Sequence, residues 1–171
     1  MGMHASVVMT VLAADRPGLV SALSETIAAH GGSWQESRMA RLAGQFAGIL
    51  RIECPAAQAD ALLAALAGLE SQGISVQARR EQAAAAPARE TLSLDIMGND
   101  RPGIIRALSA AIAGAGANVE DLSTSLESAP MAGHPIFHAQ GLVSLAPDGD
   151  PAALIAAIEK LGPDLSVSID R

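Results

Sequence analysis

The stretch Asp15-Arg16-Pro17-Gly18-Leu19-Val20 occurs a second time, 85 positions later, as Asp100-Arg101-Pro102-Gly103-Ile104-Ile105. The match continues to Gly31 and Gly116, and ten of the seventeen aligned positions are identical. Chance predicts about one identity over such a length, so the match is an internal repeat. The repeat predicts that the 171 residues form two copies of one small domain.

In each copy the repeated stretch lies between apolar residues that alternate with polar ones and apolar residues that recur at helical spacing. Apolar residues at every second position before it predict a half-buried strand, as at Val7, Met9 and Val11. Apolar residues then recur at the spacing of a helix face until a glycine ends the pattern. The positions that form this helix face are Leu19, Leu23 and Ile27 in the first copy and Ile104, Leu108 and Ile112 in the second.

The remainder of each copy predicts a hairpin, a second helix and a closing strand. In the first copy, residues 33–42 and 46–54 are predicted strands around a tight turn at Ala43-Gly44. In the second, residues 118–126 and 136–146 correspond to them, with a longer connection over 127–135. Short strands over 75–78 and 166–169 complete an order of βαββαβ, twice. This order predicts an α+β fold of two ferredoxin-like domains, each an antiparallel sheet with both helices on one face.

The predicted domains cover residues 4–80 and 90–171, and the alanine-rich segment 81–89 is the predicted linker. The net charge of −7 and the pI of about 4.9 argue against direct binding to nucleic acid, which needs clustered basic residues. Charged residues interrupt every apolar run, so no membrane span is expected. The first apolar stretch lacks a preceding Lys or Arg, and Cys54 is the only cysteine. These features predict a cytoplasmic protein without a secretory signal or an internal disulfide.

The loop between the first strand and the first helix is the candidate binding site in each copy. The free N–H groups of a helix start receive anions, and Gly18 and Gly103 have no side chain to keep a ligand away from the backbone. Asp15 and Asp100 would either cap the helix or hold an ammonium group, so a zwitterionic amino acid fits, although the motif could also simply begin a helix. The candidate ligand-binding residues are Asp15, Arg16, Pro17, Gly18 and Leu19 in the first copy, and Asn99, Asp100, Arg101, Pro102, Gly103 and Ile104 in the second.

These loops resemble the corresponding loops of the ACT domain family, and so do the runs Glu36-Ser37-Arg38-Met39-Ala40 and Gly44-Gln45-Phe46. The resemblance to the family spans nearly the whole chain. The first half resembles most the tandem-ACT transcriptional repressors of the glycine cleavage system. The resemblance implies βαββαβ modules that bind small effectors, usually amino acids, at the strand-to-helix loop. It further implies a small ligand such as glycine or serine, no cofactor, and control of transcription through contact with a DNA-binding activator. The run Asn118-Val119-Glu120-Asp121 matches the family pattern better than Ser33-Trp34-Gln35 does.

Metal binding is not expected from the remaining polar residues. His134 and His138 would lie roughly 13 Å apart in an extended chain, which is too far to share a metal ion. Asp148 and Asp150 are better explained as caps of the last helix than as a calcium site, because the series of ligands is too short.

Two further functions compete with ligand sensing. A ligand-free scaffold would join partners through sheet edges. Because an unpaired edge strand offers a row of N–H and C=O groups, we hypothesise that the sheets are extended either by self-association into a homo-oligomer or by side-by-side pairing of the two copies. A small acylphosphatase-like enzyme would use Arg16 or Arg101 in a phosphate-binding loop, but Pro17 and Pro102 remove an N–H group from that loop. No spacing of nucleophile and base indicates catalysis, so the sequence predicts a protein that is not an enzyme.

Overall fold

The computed structural model describes residues 2–82, 88–128, 131 and 133–170. Contacts between residues divide the chain into two compact units, residues 1–85 and 86–171. Residues 83–87 of the predicted linker lie outside the described residues, so the linker stays a prediction.

The N-terminal unit has the predicted order of elements. It consists of β1 (His4–Ala14), α1 (Leu19–Ala29), β2 (Ser33–Leu42), β3 (Gln45–Pro55), α2 (Ala59–Gly68) and β4 (Ile74–Arg80), with short 3₁₀ segments before and after α2. The strands form one antiparallel sheet in the order β2-β3-β1-β4. The first strand is therefore central, and its end delivers the Asp-Arg-Pro-Gly loop to the start of α1.

The C-terminal unit repeats this order. It consists of β5 (Glu90–Asn99), α3 (Ile104–Gly114), β6 (Ala117–Ser128), β7 (Pro135–Leu145), α4 (Pro151–Glu159) and β8 (Ser166–Asp170), with the sheet order β6-β7-β5-β8. All strand pairs in this sheet are antiparallel. The predicted α+β fold, two ferredoxin-like βαββαβ domains in tandem, is confirmed.

Aliphatic residues fill a separate core in each unit, between one face of the sheet and its two helices. In the first, Val7, Met9 and Val11 of β1 pack with Leu19, Leu23, Ile27 and the buried leucines of α2. In the second, Leu92, Leu94 and Ile96 of β5 pack with the corresponding residues of α3 and α4. Burial of one face of the sheet and one stripe of each helix explains the two periodicities of the sequence.

Special backbone positions lie where the sequence predicted them. Ala43 and Gly44 both have positive φ (50° and 77°), as the two-residue turn of a hairpin requires. Gly31 and Gly116 end α1 and α3 in the left-handed conformation. The Asp150 side chain caps α4 by accepting the Ala152 N–H at 2.9 Å, which confirms the capping interpretation for Asp150 but not for Asp148.

The second hairpin differs slightly from its predicted bounds. Strand β6 extends to Ser128, two residues beyond the predicted end, and β7 begins at Pro135. Residues 129, 130 and 132 of the long connection lie outside the described residues. Both β2 and β6 carry a bulge near their start, between Trp34 and Glu36 and between Val119 and Asp121, so the irregularity is part of the repeated unit.

Candidate ligand-binding loops

A left-handed glycine stands immediately before the first helix of each unit. Gly18 (φ 90°) and Gly103 (φ 78°) are the N-cap residues, and neither helix has a side-chain cap. The capping role that was one of the two expected for Asp15 and Asp100 is therefore wrong. Each aspartate stands three residues before the cap, while glycine supplies the positive φ that the turn needs.

The start of each helix is open to a ligand. The Ala22 N–H donates to the Gly18 carbonyl at 2.9 Å, and the Ala107 N–H donates to the Gly103 carbonyl at 3.0 Å. The N–H groups that precede these in the first turn have no acceptor within the helix. In the second unit the Ile104 N–H donates instead to the Arg101 carbonyl at 3.3 Å, which leaves the N–H groups of Ile105 and Arg106 for a ligand. A Cβ added at either glycine would meet no atom of the described residues within 4 Å. The position thus combines N–H donors with free space, which is the arrangement that receives a carboxylate.

The motif arginines bind the backbone of their own unit. Arg16 donates through Nη2 to the Gln72 carbonyl at 2.5 Å, and Arg101 donates through Nη2 to the Leu161 carbonyl at 2.6 Å. Both carbonyls lie just after the second helix of the unit, where backbone oxygens lack helical partners. Arg16 and Arg101 therefore anchor the loop to the backbone that follows that helix.

The two aspartates have different surroundings. The Asp15 carboxylate lies 3.4 Å from Nη1 of Arg41. The backbone N–H of Asp15 donates to the Gly44 carbonyl at 2.9 Å. The Asp100 N–H donates to the Pro135 carbonyl at 3.1 Å. Within the part of the chain that the structure describes, the Asp100 carboxylate makes no hydrogen bond or ion pair. The second loop therefore offers the more available acceptor for an ammonium group.

A residue that the sequence analysis missed, Asp164, holds the second loop in place. Its Oδ2 accepts the N–H of Asn99 at 2.9 Å, and its Oδ1 lies 3.6 Å from Nη1 of Arg101. The N–H of Asn99, with a smaller contribution from Arg101, lowers the pKa of the Asp164 carboxyl below its ordinary value. A Cβ at Gly98 would collide with Leu165, so this glycine permits the close approach of the loop that carries Asp164. Asp164 lies 65 residues from Asn99, and no local motif marks the pair.

A second polar cluster lies on the C-terminal sheet, centred on His138. Its Nε2 lies 3.1 Å from Oδ1 of Asp95, and its Nδ1 lies 3.2 Å from Oε1 of Glu127. Gln140 donates to the other oxygen of Asp95 at 2.8 Å. Neither these three side chains nor any other group of three or more His, Cys, Asp or Glu among the described residues is arranged to hold a metal ion. The cluster pairs one imidazole with two carboxylates and gives the ring nitrogens acceptors on both sides.

We predict that His138 stays protonated above its ordinary titration range. The hydrogen bond to Glu127, and after it the contacts with Asp95, raise the pKa of His138 above 6.5. Because the pKa of His138 is higher in the folded state than in the unfolded state, its protonation stabilises the fold. This contribution is complete below pH 6.5 and is lost as the pH rises through the folded-state pKa. An NMR titration of the imidazole should show the higher midpoint, and Glu127→Gln should move it back towards 6.5. An unchanged midpoint in that variant would contradict the assignment.

Comparison with known proteins agrees with the geometry of the two units. The family model of the ACT domain matches residues 5–78 and 90–170. The chain belongs to the ACT domain family. Its two domains stand in tandem, as the sequence repeat predicts, and the matched segments exclude only the ends and the region of the predicted linker.

Two solved structures resemble both ACT domains together. A protein of unknown function from Galdieria sulphuraria is 27% identical, with a TM-score of 0.81 and 98% of each chain covered. A proposed glycine cleavage system transcriptional repressor is 17% identical, with a TM-score of 0.71, and the match covers 98% of this chain and 97% of the other. No curated protein matches the sequence. The second likeness shows the tandem ACT fold.

None of the helices in the described residues is long and apolar enough to span a membrane.

Proposed function

We propose that this tandem ACT protein is an amino-acid-responsive regulator that acts through a protein partner. The observation that carries the proposal is the pair of open helix starts, each behind a left-handed glycine and each on a loop with an aspartate. A free amino acid needs donors for its carboxylate and an acceptor for its ammonium group, and the second loop supplies both.

The ligand would bind with its carboxylate at the first turn of α3. Its ammonium group would face Asp100, whose carboxylate has no other partner among the described residues. Charge-assisted hydrogen bonds contribute roughly 1.5–3 kcal/mol each, so two or three of them support micromolar to millimolar binding after the cost of association. A small ligand such as glycine or serine is the first choice, in keeping with the family resemblance. The first loop would bind more weakly, because Arg41 already pairs with Asp15.

The regulated process would be transcription of genes for glycine cleavage or amino-acid metabolism. The resemblance of the motifs, and a structural neighbour described as a proposed repressor of that system, support this choice. The net charge of −7 disfavours contact with DNA itself, so the partner would be a DNA-binding activator in the cytoplasm. A catalytic role is not proposed, because the motif arginines are bound to backbone carbonyls of their own domains.

Thermal unfolding with a panel of amino acids tests the proposal. At a hundred times its dissociation constant a ligand stabilises the folded state by about 2.7 kcal/mol, which raises the Tm of a domain of this size by roughly 10 °C or more. Glycine and serine should produce such a shift, whereas acetate and methylamine, which carry only one of the two charges, should not. If no amino acid raises the Tm, the sensing function is wrong and the scaffold function gains support.

A further inference from the structure

The end of β5 is held by a carboxylate that lies far along the chain. Oδ2 of Asp164 accepts the backbone N–H of Asn99 at 2.9 Å, and Oδ1 lies 3.6 Å from Nη1 of Arg101. Arg101 also donates to the Leu161 carbonyl at 2.6 Å. Asn99 and Arg101 stand on either side of Asp100, whose carboxylate would face the ammonium group of a ligand. The turn after α4 therefore holds the residues immediately before and after Asp100.

Two glycines let this turn approach the loop closely. A Cβ at Gly98 would collide with the Leu165 side chain. A Cβ at Gly162 would lie 2.7 Å from Oδ1 of Asp164 and 2.8 Å from Nη1 of Arg101. The side chains of Asp164 and Arg101 are only 27% and 37% exposed, because they pack over this bare backbone. The carboxylate is thus a built part of the loop and not a surface charge that happens to lie near it.

The first unit has no equivalent carboxylate, because a glycine stands in its place. Ser75 of β4 and Ser166 of β8 pair with residues of β1 and β5 that are 85 positions apart, so the two serines are equivalent in the repeat. Two positions before them stand Gly73 and Asp164. Gly73 has a φ of 79° and makes a tight turn into β4. The loop that carries Asp15 therefore lacks the anchor that the second loop has.

The anchors that both units share show what Asp164 adds. In each unit the motif arginine donates to a carbonyl just after the second helix, and the N–H of the motif aspartate donates to a carbonyl at the turn into the third strand. Asp164 supplies a further hydrogen bond to the second loop alone. A loop that is ordered before it meets a ligand loses less conformational freedom on binding, and it binds more tightly for that reason.

We propose that Asp164 is a positioning residue for amino-acid binding, and that it makes the second loop the tighter of the two sites. This inference rests on the function proposed above. Asp164 acts through the backbone of Asn99 and the guanidinium group of Arg101, which set the place of the Asp100 carboxylate and of the first turn of α3. The Asn99 N–H also lowers the pKa of the Asp164 carboxyl, so the anchor is charged at neutral pH.

Substitutions of Asp164 test the proposal in a Gly18→Asn background, in which only the second loop stays open to a ligand. Asp164→Ala removes both acceptors, whereas Asp164→Asn keeps one oxygen for the Asn99 N–H. In titration calorimetry, glycine and serine should bind roughly tenfold more weakly to the alanine variant, and asparagine should restore most of this loss.

A second variant disturbs the anchor without removing it. The added Cβ of Gly162→Ala would meet only the ends of the Asp164 and Arg101 side chains, so the fold should be kept while the two groups are pushed apart. The affinity for glycine should fall in this variant as well, but by less than in Asp164→Ala.

Val167→Ala is the control for a general loss of stability. Val167 lies in β8 and packs against the core of the C-terminal domain, so its truncation destabilises the same domain and leaves the contacts of Asp164 in place. This variant should have a lower Tm and an unchanged affinity for glycine. Amide hydrogen exchange gives a readout that needs no ligand: the Asn99 amide should exchange faster in Asp164→Ala and stay protected in Val167→Ala.

The possible results separate this inference from the sensing function on which it rests. Full affinity in Asp164→Ala, or an equal loss of affinity in Val167→Ala, would overturn the positioning role and leave the sensing function intact. An Asn99 amide that exchanges equally fast with and without the Asp164 carboxylate would overturn the anchor itself. A wild type that binds no amino acid would overturn the sensing function, and the positioning role with it.

Discussion

Replacing Gly18 and Gly103 by valine should abolish amino-acid binding and lower the stability of both domains. The valine side chain would occupy the free space beside the first-turn N–H groups, where the ligand carboxylate is expected. A β-branched residue also disfavours the positive φ at each position, at a cost of about 1–3 kcal/mol per site. Titration calorimetry measures the first effect, and denaturant unfolding measures the second.

Asparagine at the same positions separates the two effects. Asparagine tolerates the left-handed conformation better than any residue except glycine, so the folds should lose less than about 1 kcal/mol. Its side chain still projects into the ligand space, and binding should weaken at least tenfold, or about 1.4 kcal/mol. Gly103→Asn should have the larger effect if the second loop is the principal site. Binding that survives in the double asparagine variant would place the site elsewhere.

The change Gly141→Ala should strongly destabilise the C-terminal domain alone. A Cβ at this position would collide with the carbonyl oxygen of Asp121, just after the bulge of β6. The obstacle is backbone, so β6 would have to move away from β7. We expect a loss of roughly 2–3 kcal/mol, at the upper end of the usual cost of overpacking.

The chain contains a suitable probe and a suitable control for this measurement. Trp34, the only tryptophan, packs against the N-terminal core, so its fluorescence reports unfolding of that domain. Far-UV circular dichroism reports both domains. Gly141→Ala should move the part of the circular dichroism transition that reports the C-terminal domain to lower denaturant concentration. The fluorescence transition of the N-terminal domain should stay unchanged. Gly114→Ala, in α3 with nothing within 4 Å of the added Cβ, should be neutral or stabilise by up to about 1 kcal/mol. Equal effects of the two substitutions would contradict the predicted collision.

The order of elements and the position of the loops were predictable because they depend on neighbouring residues. Strand alternation at Val7, Met9 and Val11, and helical spacing at Leu19, Leu23 and Ile27, are local patterns that burial of one face imposes. The repeat then doubled the evidence for each element. The role of Asp15 was not predictable in this way, because capping depends on the residue at which the helix begins, and that residue is Gly18.

Contacts between distant parts of the chain required the structure. Arg101 binds the Leu161 carbonyl and lies near Asp164, some sixty residues away, and only the packing of α4 and the following loop beside the end of β5 brings these groups together. The same holds for His138 and Asp95, which meet because β5 and β7 are neighbours in the sheet.

The sequence by itself determined that this protein has two βαββαβ domains and that each places an Asp-Arg-Pro-Gly loop at the start of a helix, because periodicity and turn chemistry act over a few residues. Only the tertiary structure decided what the charged groups do. It turned Arg16 and Arg101 towards the ends of the second helices, and it left the Asp100 carboxylate without a partner among the described residues. Strand register and helix packing fix these positions, and both arise from contacts between residues far apart in the chain.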